Sequence, residues 1–325
     1  MTQPAEAHPP PHEFTGRGPA RIAKRLFFAS RPKFFPASIL PVLAGSAWGF
    51  TASGSFDGMV FAIALAATVC VHAGANVLND VGDDSGGTDR INTERIYPYT
   101  GGSRFIQSGI LSAHDMLRLG AGLLAAAAVL GIGLLALKGA TVLWFGLAGM
   151  LLAVLYSLGP VRLNATGFGE AAVALAFGVI PVTGAAWLQS GVVDLPALLF
   201  SLPVALWVGA ILLINEVPDR RADSLSGKRT LPVRMGLKGT AILYGALQVT
   251  AAIPVLWLAF AGVLPPLAPA APLLLLIPAL RSAASVFAAA GDRRRMTRAI
   301  ETTLTVHAVG TLWLGACVLY LGVTS

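Results

Sequence analysis

Apolar residues run along most of this 325-residue chain in nine long stretches separated by polar segments. They fall at roughly 35–53, 58–79, 119–137, 140–158, 169–188, 196–217, 240–262, 264–280 and 300–322. Each is close to the ~20 residues a helix needs to cross a bilayer core. The eighth is the least regular, because Pro265, Pro266, Pro269 and Pro272 interrupt its start. Proline is nevertheless tolerated in a membrane helix where neighbouring groups satisfy the backbone. Residues 1–15 are Pro-rich and polar, with no apolar core following a basic start, so they do not read as a cleaved signal peptide. The pattern predicts an all-α polytopic membrane protein: a disordered basic tail over 1–33, then one transmembrane domain of nine helices over 34–325.

Composition agrees. The chain is 55% hydrophobic and 12% charged, about half the charge of an ordinary soluble domain. Cys70 and Cys317 both lie in apolar runs, which leaves no disulfide framework or cysteine-based zinc site. Of the 23 lysines and arginines, only Lys138 falls on one side of the predicted membrane. By the positive-inside rule, the N-terminus and the loops after the even-numbered spans are cytoplasmic. The net charge of +7 is then a topology signal, and it calls for no nucleic-acid partner.

The acids are as unevenly spread as the bases. The second span ends as His72-Ala-Gly-Ala-Asn76-Val-Leu-Asn79-Asp80-Val-Gly-Asp83-Asp84, with Asp89 beyond it. The sixth ends as Asn215-Glu216-Val-Pro-Asp219-Arg-Arg-Ala-Asp223. Helical periodicity puts Asn76, Asn79, Asp80 and Asp83 on one face, with His72 a turn earlier, and stacks Asn215, Asp219 and Asp223 on another. Carboxylates one turn apart repel unless a cation lies between them, and acids at a helix C-terminus also oppose the helix dipole. Such hard oxygen ligands suit Mg²⁺, which bridges readily to phosphate oxygens. Two facing clusters could therefore hold a diphosphate through shared metal ions. The segments beyond them, 80–115 and 218–238, are long for a helical bundle. They carry Gly101-Gly-Ser-Arg104 through Gly109, and Gly227-Lys228-Arg229-Thr230 through Gly236, where glycine can bring backbone donors and cations close to phosphate.

These residues resemble the UbiA-type intramembrane prenyltransferase superfamily, whose hallmark is a pair of NxxxD(xxxD) motifs after helices 2 and 6. The second motif is complete as Asn215, Asp219 and Asp223. The first reads Asn79-Asp80-Val-Gly-Asp83 with Gly87 and then Asp89, a departure similar to the branch that prenylates 1,4-dihydroxy-2-naphthoate in menaquinone synthesis. An overlapping register, Asn76-Asp80-Asp84, also fits; Asn79/Asp83 is the better match, with Asp80 expected to face the same cavity. The segment from Tyr156 through Pro160 and Leu163 to Gly167, Gly169 and Glu170 resembles the family's YxxxPxxLxxxGxGE element.

The resemblance implies nine helices around a central cavity, in two four-helix halves plus a ninth. It implies Mg²⁺ on a polyprenyl diphosphate held by Asp83, Asp219 and Asp223, with Asn79 and Asn215 orienting it and Asp80 and Asp89 as further partners. Arg104, Lys228 and Arg229 would contact the diphosphate, and His72, Asn76 and Tyr156 the substrates. The implied reaction ionises the allylic C1–O bond, after which an electron-rich aromatic carbon attacks. A naphthoate acceptor would lose its carboxylate and give a demethylmenaquinone. The implied location is a bacterial inner membrane, with the site facing the cytoplasm.

Bland readings stand beside several of these residues. His72 fits either the acceptor or a hydrogen-bonded core position. Tyr156 fits either cation stabilisation or interfacial anchoring, and Glu170 either chemistry or packing. His307, far from both motifs, reads as structural. Another quinone or lipid acceptor, such as 4-hydroxybenzoate, shares the same scaffold. A transporter would carry its acids nearer the bilayer midplane on broken helices. A CDP-alcohol phosphotransferase would need a leading DGxxAR element, which neither cluster has.

Overall fold

A computed structural model describes residues 9–287 and 292–324. Among them there is no strand; the chain is a bundle of helices. In order these are α1 (Pro19–Ala29), α2 (Pro36–Ser53), α3 (Gly58–Ser85), the short α4 (Thr88–Ile91), α5 (Ala113–Lys138) and α6 (Val142–Ser157). Then follow α7 (Gly169–Ala174), a π-helical turn (Leu175–Val179), α8 (Ile180–Ser190), α9 (Leu195–Leu225), α10 (Leu231–Phe260), α11 (Ala270–Phe287) and α12 (Arg293–Thr324). Through the π-helical turn, α7 and α8 form one span.

Eight of these helices are long and apolar enough to cross a membrane, among the described residues, and α6 is a shorter apolar helix of 16 residues. Eight of the nine expected runs thus appear at full length. The proline-rich start of the eighth lies mostly in the turn before α11, which runs on to Phe287 rather than stopping near 280.

Two boundaries move in a way that matters for the site. α3 continues to Ser85 and α9 to Leu225, so the acids lie within the last helical turns and not in loops. Loss of hydrophobicity does not end a helix; a cap does. The segment from 218 to 238 shrinks to a turn of 226–230, where Gly227 adopts φ 81°, before α10 begins. α10 is itself kinked at Gly236, with φ 65° and ψ 179°.

The tail is not wholly unstructured either. Residues 1–8 lie outside the described residues, but Pro11–Phe14 forms a 3₁₀ turn and Pro19–Ala29 a helix. Phe14 is buried edge-on against Phe28 and Phe105. In α1, Ile22, Leu26 and Phe27 share one face and Arg21, Lys24 and Arg25 the other, an amphipathic pattern that favours a helix at an interface.

The core centres on α9, the most buried span. Phe200, Val204 and Trp207 on α9 pack with residues of α2, α10, α11 and α12. α2 crosses α8 very closely, because Gly45 and Gly49 lack side chains there. A Cβ on Gly45 would stand 2.1 Å from the Val182 carbonyl oxygen, and one on Gly49 2.3 Å from that of Ala186. Small residues four apart are the usual means of bringing membrane helices together. This contact fixes α8 beside α2 and leaves the ends of α3 and α9 facing each other.

Candidate active site

Those two ends enclose a cavity of about 160 Å³. From α3, His72, Asn76, Asn79 and Asp83 line it; from α9, Asn215, Glu216, Asp219 and Asp223 do. Asp89, Tyr156 and Lys228 complete the set of sequence-predicted residues on its wall.

Asp83 and Asp219 each take partners from the segment that follows the other's helix. Asp83 Oδ1 is 2.6 Å from Lys228 Nζ, which is also 3.6 Å from Asp223 Oδ1. Asp219 in turn accepts hydrogen bonds from Asn92 Nδ2 at 2.7 Å and from the Gly101 N–H at 2.9 Å. Thr88 Oγ1 and Ser226 Oγ, 2.8 Å apart, tie the two segments together. Burial works against the charge on Lys228, but the Asp83 and Asp223 carboxylates outweigh it and hold its pKa above the ordinary lysine value. At Asp89 the nearby Arg104 offsets burial only in part. Burial first, and then the negative charges of Asp80 and Asp83, push its carboxyl up to about 8.

Three predicted residues are not on the cavity wall. Asp80, expected to face it, is turned one layer behind: its Oδ2 accepts from the Ser103 N–H at 2.9 Å, and Arg31 Nη1 is 4.0 Å from its Oδ1. A residue one position from Asn79 points about 100° away from it, which separates the two. Asp84 is turned away as well, toward Gln107 and Arg90, so Asn79/Asp83 is the cavity-facing register. Arg104 reaches back to donate to the Asp89 carbonyl oxygen, bracing the turn rather than facing the cavity. Arg229 is exposed; its backbone N–H is held by the Ala165 carbonyl at 2.8 Å.

Other wall residues escaped the sequence reading. Asn92 belonged to no motif. Arg31 counted only as one of the tail's basic charges, yet it lines the cavity in a left-handed conformation (φ 59°), uncommon for a residue with a side chain. Its Nη2 donates to the Tyr99 carbonyl at 3.3 Å, while its buried Nε has no partner. A lone arginine directly before a span's first prolines was the available signal.

The remaining doubtful residues divide. His72 bonds Ser38 Oγ through Nδ1 at 2.9 Å, with its ring 4.4 Å from that of Phe177, so it is both hydrogen-bonded and on the wall. Asn76 holds the Ser30 carbonyl and Asn79 the Ser157 hydroxyl. Glu170 is buried against Glu216, and His307 is buried away from the cavity.

Among the described residues, no three His, Cys, Asp or Glu side chains converge as a complete metal shell would require. Mg²⁺, however, typically takes one or two carboxylates and fills its remaining positions with water and substrate phosphate. The cavity offers hard oxygens of that kind, and Asn215 Oδ1 and Asp89 Oδ2 are buried without any donor. Lys228, between Asp83 and Asp223, already marks where positive charge is needed. The residues present fit a divalent cation completed by its ligand.

Residues 38–304 match the model of the UbiA prenyltransferase family. A 1,4-dihydroxy-2-naphthoate octaprenyltransferase of Haemophilus influenzae is 31% identical over 239 residues, covering 71% of this chain and 75% of that protein. One from Bacillus subtilis is 28% identical, covering 74% and 75%. UbiA prenyltransferase domain-containing protein 1 of Dictyostelium discoideum is also 28% identical, covering 70% and 69%. Among solved structures, a UbiA homolog from Aeropyrum pernix K1 superposes with a TM-score of 0.67 at 18% identity, over 89% of this chain and 98% of that one. A homolog from Archaeoglobus fulgidus bound to GPP and Mg²⁺ gives 0.62 at 14% identity, over 91% and 99%. At such identity these two speak for the fold alone.

Proposed function

The chain belongs to the UbiA prenyltransferase family and is an integral membrane enzyme that transfers prenyl groups; from that premise we propose that it joins a polyprenyl group to 1,4-dihydroxy-2-naphthoate for menaquinone synthesis. The observation that carries this reading is one cavity with acids and cations at its mouth and apolar walls below. That polarity matches a charged diphosphate on an isoprenoid chain. The choice of acceptor rests on the naphthoate prenyltransferases at up to 31% identity.

In this reading Asp83, Asp219 and Asp223 hold Mg²⁺, with Asn79 and Asn215 assisting and Asp89 nearby. When bound, Mg²⁺ neutralises negative charge gathering on the departing diphosphate. Lys228 and Arg31 supply fixed positive charge to the same group, in a site where such charges act more strongly than in water. The C1–O bond breaks with its electron pair on the diphosphate, and Tyr156 steadies the allylic cation through its ring face. An electron-rich carbon of the acceptor attacks that cation, and the acceptor's carboxylate leaves as carbon dioxide. Asp80, Arg104 and Asn92 act indirectly, by holding the 88–104 segment over the site. The basic residues gathered at this end favour a cytoplasmic N-terminus and mouth in a bacterial inner membrane, with α6 as a ninth crossing.

The test uses purified protein in detergent with Mg²⁺ and a polyprenyl diphosphate, offering 1,4-dihydroxy-2-naphthoate or 4-hydroxybenzoate and reading product by mass. A decarboxylated naphthoate product that disappears with chelator is expected. Product only with 4-hydroxybenzoate would keep prenyl transfer and remove the naphthoate assignment.

A further inference from the structure

Among the described residues two histidines are buried, His72 and His307, and they are kept differently. His307 Nε2 is sealed in the bundle without a partner. His72 has one nitrogen held and the other left to the cavity. Its Nδ1 is 2.9 Å from Ser38 Oγ, and that hydroxyl lies 3.0 Å from the Phe35 carbonyl oxygen. A serine hydroxyl has one hydrogen to give. Both contacts are hydrogen bonds only when Ser38 donates to Phe35 and accepts from a protonated Nδ1. In the neutral imidazole the free lone pair then sits on Nε2. His72 lines the cavity and Ser38 does not, so the ring edge that reaches the cavity is the one carrying Nε2. Among the described residues nothing bonds that nitrogen.

Aromatic neighbours fix the ring. The Phe177 centroid is 4.4 Å away at an interplanar angle of 43°, and Phe35 stands edge-on at 5.7 Å. Phe177 belongs to the π-helical turn Leu175–Val179, which carries Ala176 and Phe177 onto the cavity wall. Single π-helical turns recur at functional sites. Gly178 wedges this one against α9, where an added Cβ would stand 2.2 Å from the Ala205 Cα. A diphosphate would find only a lone pair here, which repels it. A flat aromatic ring bearing a hydroxyl finds both a face to stack on and an acceptor for its O–H. Eleven residues separate His72 from Asp83, about 16 Å along α3, so this nitrogen stands well away from the acids.

We propose that His72 binds a ring hydroxyl of the aromatic acceptor and takes its proton as the new carbon–carbon bond forms. The proposal rests on the prenyl-transfer reading above and adds the group that activates the acceptor. The O–H proton passes to Nε2. The electron pair left on oxygen is delocalised to the ring carbon that bonds C1 of the allylic cation. Loss of carbon dioxide returns an electron pair to the ring, and the oxygen recovers its proton from the imidazolium. His72 thus regains its neutral form within one turnover, with no net proton consumed or released.

The test compares full-length wild type with His72→Phe, which keeps a ring between Phe35 and Phe177 but loses both nitrogens. Kinetics are read anaerobically, with Mg²⁺ and a polyprenyl diphosphate, on 1,4-dihydroxy-2-naphthoate and on each of its mono-O-methyl ethers. In His72→Phe, kcat/KM for the naphthoate should fall at least about 10²-fold, the low end for a general base. KM for the prenyl diphosphate should not change. Wild type should turn over one of the ethers at least about tenfold less efficiently than the parent, because an unmet acceptor penalises the missing hydroxyl. In His72→Phe that gap should close, which the loss of a merely structural histidine would not produce. Ser38→Ala, which keeps the imidazole but frees Nδ1, should fall between the two. Should His72→Phe lose its thermal transition, His72→Gln gives the same readings with a side chain that bonds a hydroxyl but takes no proton. Naphthoate turnover close to wild type, an ether gap that persists, or a defect confined to KM for the prenyl diphosphate would overturn the proposal. Wild type that accepts 4-hydroxybenzoate alone would remove the naphthoate reading, and the same comparison then uses that acceptor and 4-methoxybenzoate. Wild type that turns over neither acceptor would remove the prenyl-transfer reading on which the proposal rests.

Discussion

Asp83 and Asp219 hold the same place in their motifs, four residues after an asparagine near the end of an apolar helix, yet they are kept in different ways. Asp83 is neutralised by the ammonium of Lys228 at 2.6 Å. Asp219 is held by an amide and a backbone N–H, both neutral donors, so its charge is oriented without being cancelled. Asp83 therefore has an ammonium counter-ion, supplied from beyond α9 and shared with Asp223, while Asp219 is oriented by neutral donors. Each is gripped by the segment that follows the other helix, and this interlock makes the two helix ends one site.

The largest effects should come from removing the charges themselves. Asp83→Asn, Asp219→Asn and Asp223→Asn should each lower turnover by about 10²–10³-fold or more, the scale of losing one preorganised electrostatic group. Assays on variants shown to be helical and monodisperse in detergent would check this, and near-normal Mg²⁺-dependent activity would remove that residue from the metal set. Lys228→Met should weaken prenyl diphosphate binding, raising KM while lowering kcat, with Lys228→Arg restoring part of both. A fall in kcat at constant KM would count against a diphosphate contact.

Breaking the interlock from its neutral side should do less. Asn92→Ala removes a hydrogen bond to a carboxylate, about 1.5–3 kcal/mol. Limited proteolysis should then cut within 92–104 faster than in wild type, with turnover reduced but present. If cutting is unchanged, Asp219 does not anchor the segment.

The last prediction concerns stability and not turnover: the Asp89 carboxyl ordinarily titrates near 3.8 and is raised here to about 8. Between those values the folded protein keeps a proton that the unfolded chain has released, so stability falls as pH rises across that window. With chelator present, Asp89→Asn should flatten the decline of the thermal midpoint from pH 5 to pH 8. An identical slope in the variant would refute the assignment.

Much of this was readable before any coordinates. Runs of apolar residues located eight full spans and the short α6, and helical periodicity put Asn79 and Asp83 on one face and Asn215, Asp219 and Asp223 on another. What periodicity cannot supply is a partner across space. It grouped Asp80 with Asp83, although a single residue's rotation turns Asp80 toward Ser103. It read 218–238 as a long loop, because polarity was taken for the end of a helix that instead runs to Leu225. Arg104 and Arg229 carried the expected charge in glycine-rich segments, but the direction of a side chain in such a turn depends on tertiary contacts. Arg31 and Asn92 reach the site only through folding of the tail and of the 88–104 segment.

The division between the two helix ends can be tested by titrating Mn²⁺ into purified protein without diphosphate and following it by electron paramagnetic resonance. The account predicts that Asp219→Asn and Asp83→Asn both weaken this binding, Asp219→Asn the more, because Lys228 already offsets part of the Asp83 charge. Wild-type binding in Asp219→Asn, or a greater loss in Asp83→Asn than in Asp219→Asn, would contradict the account.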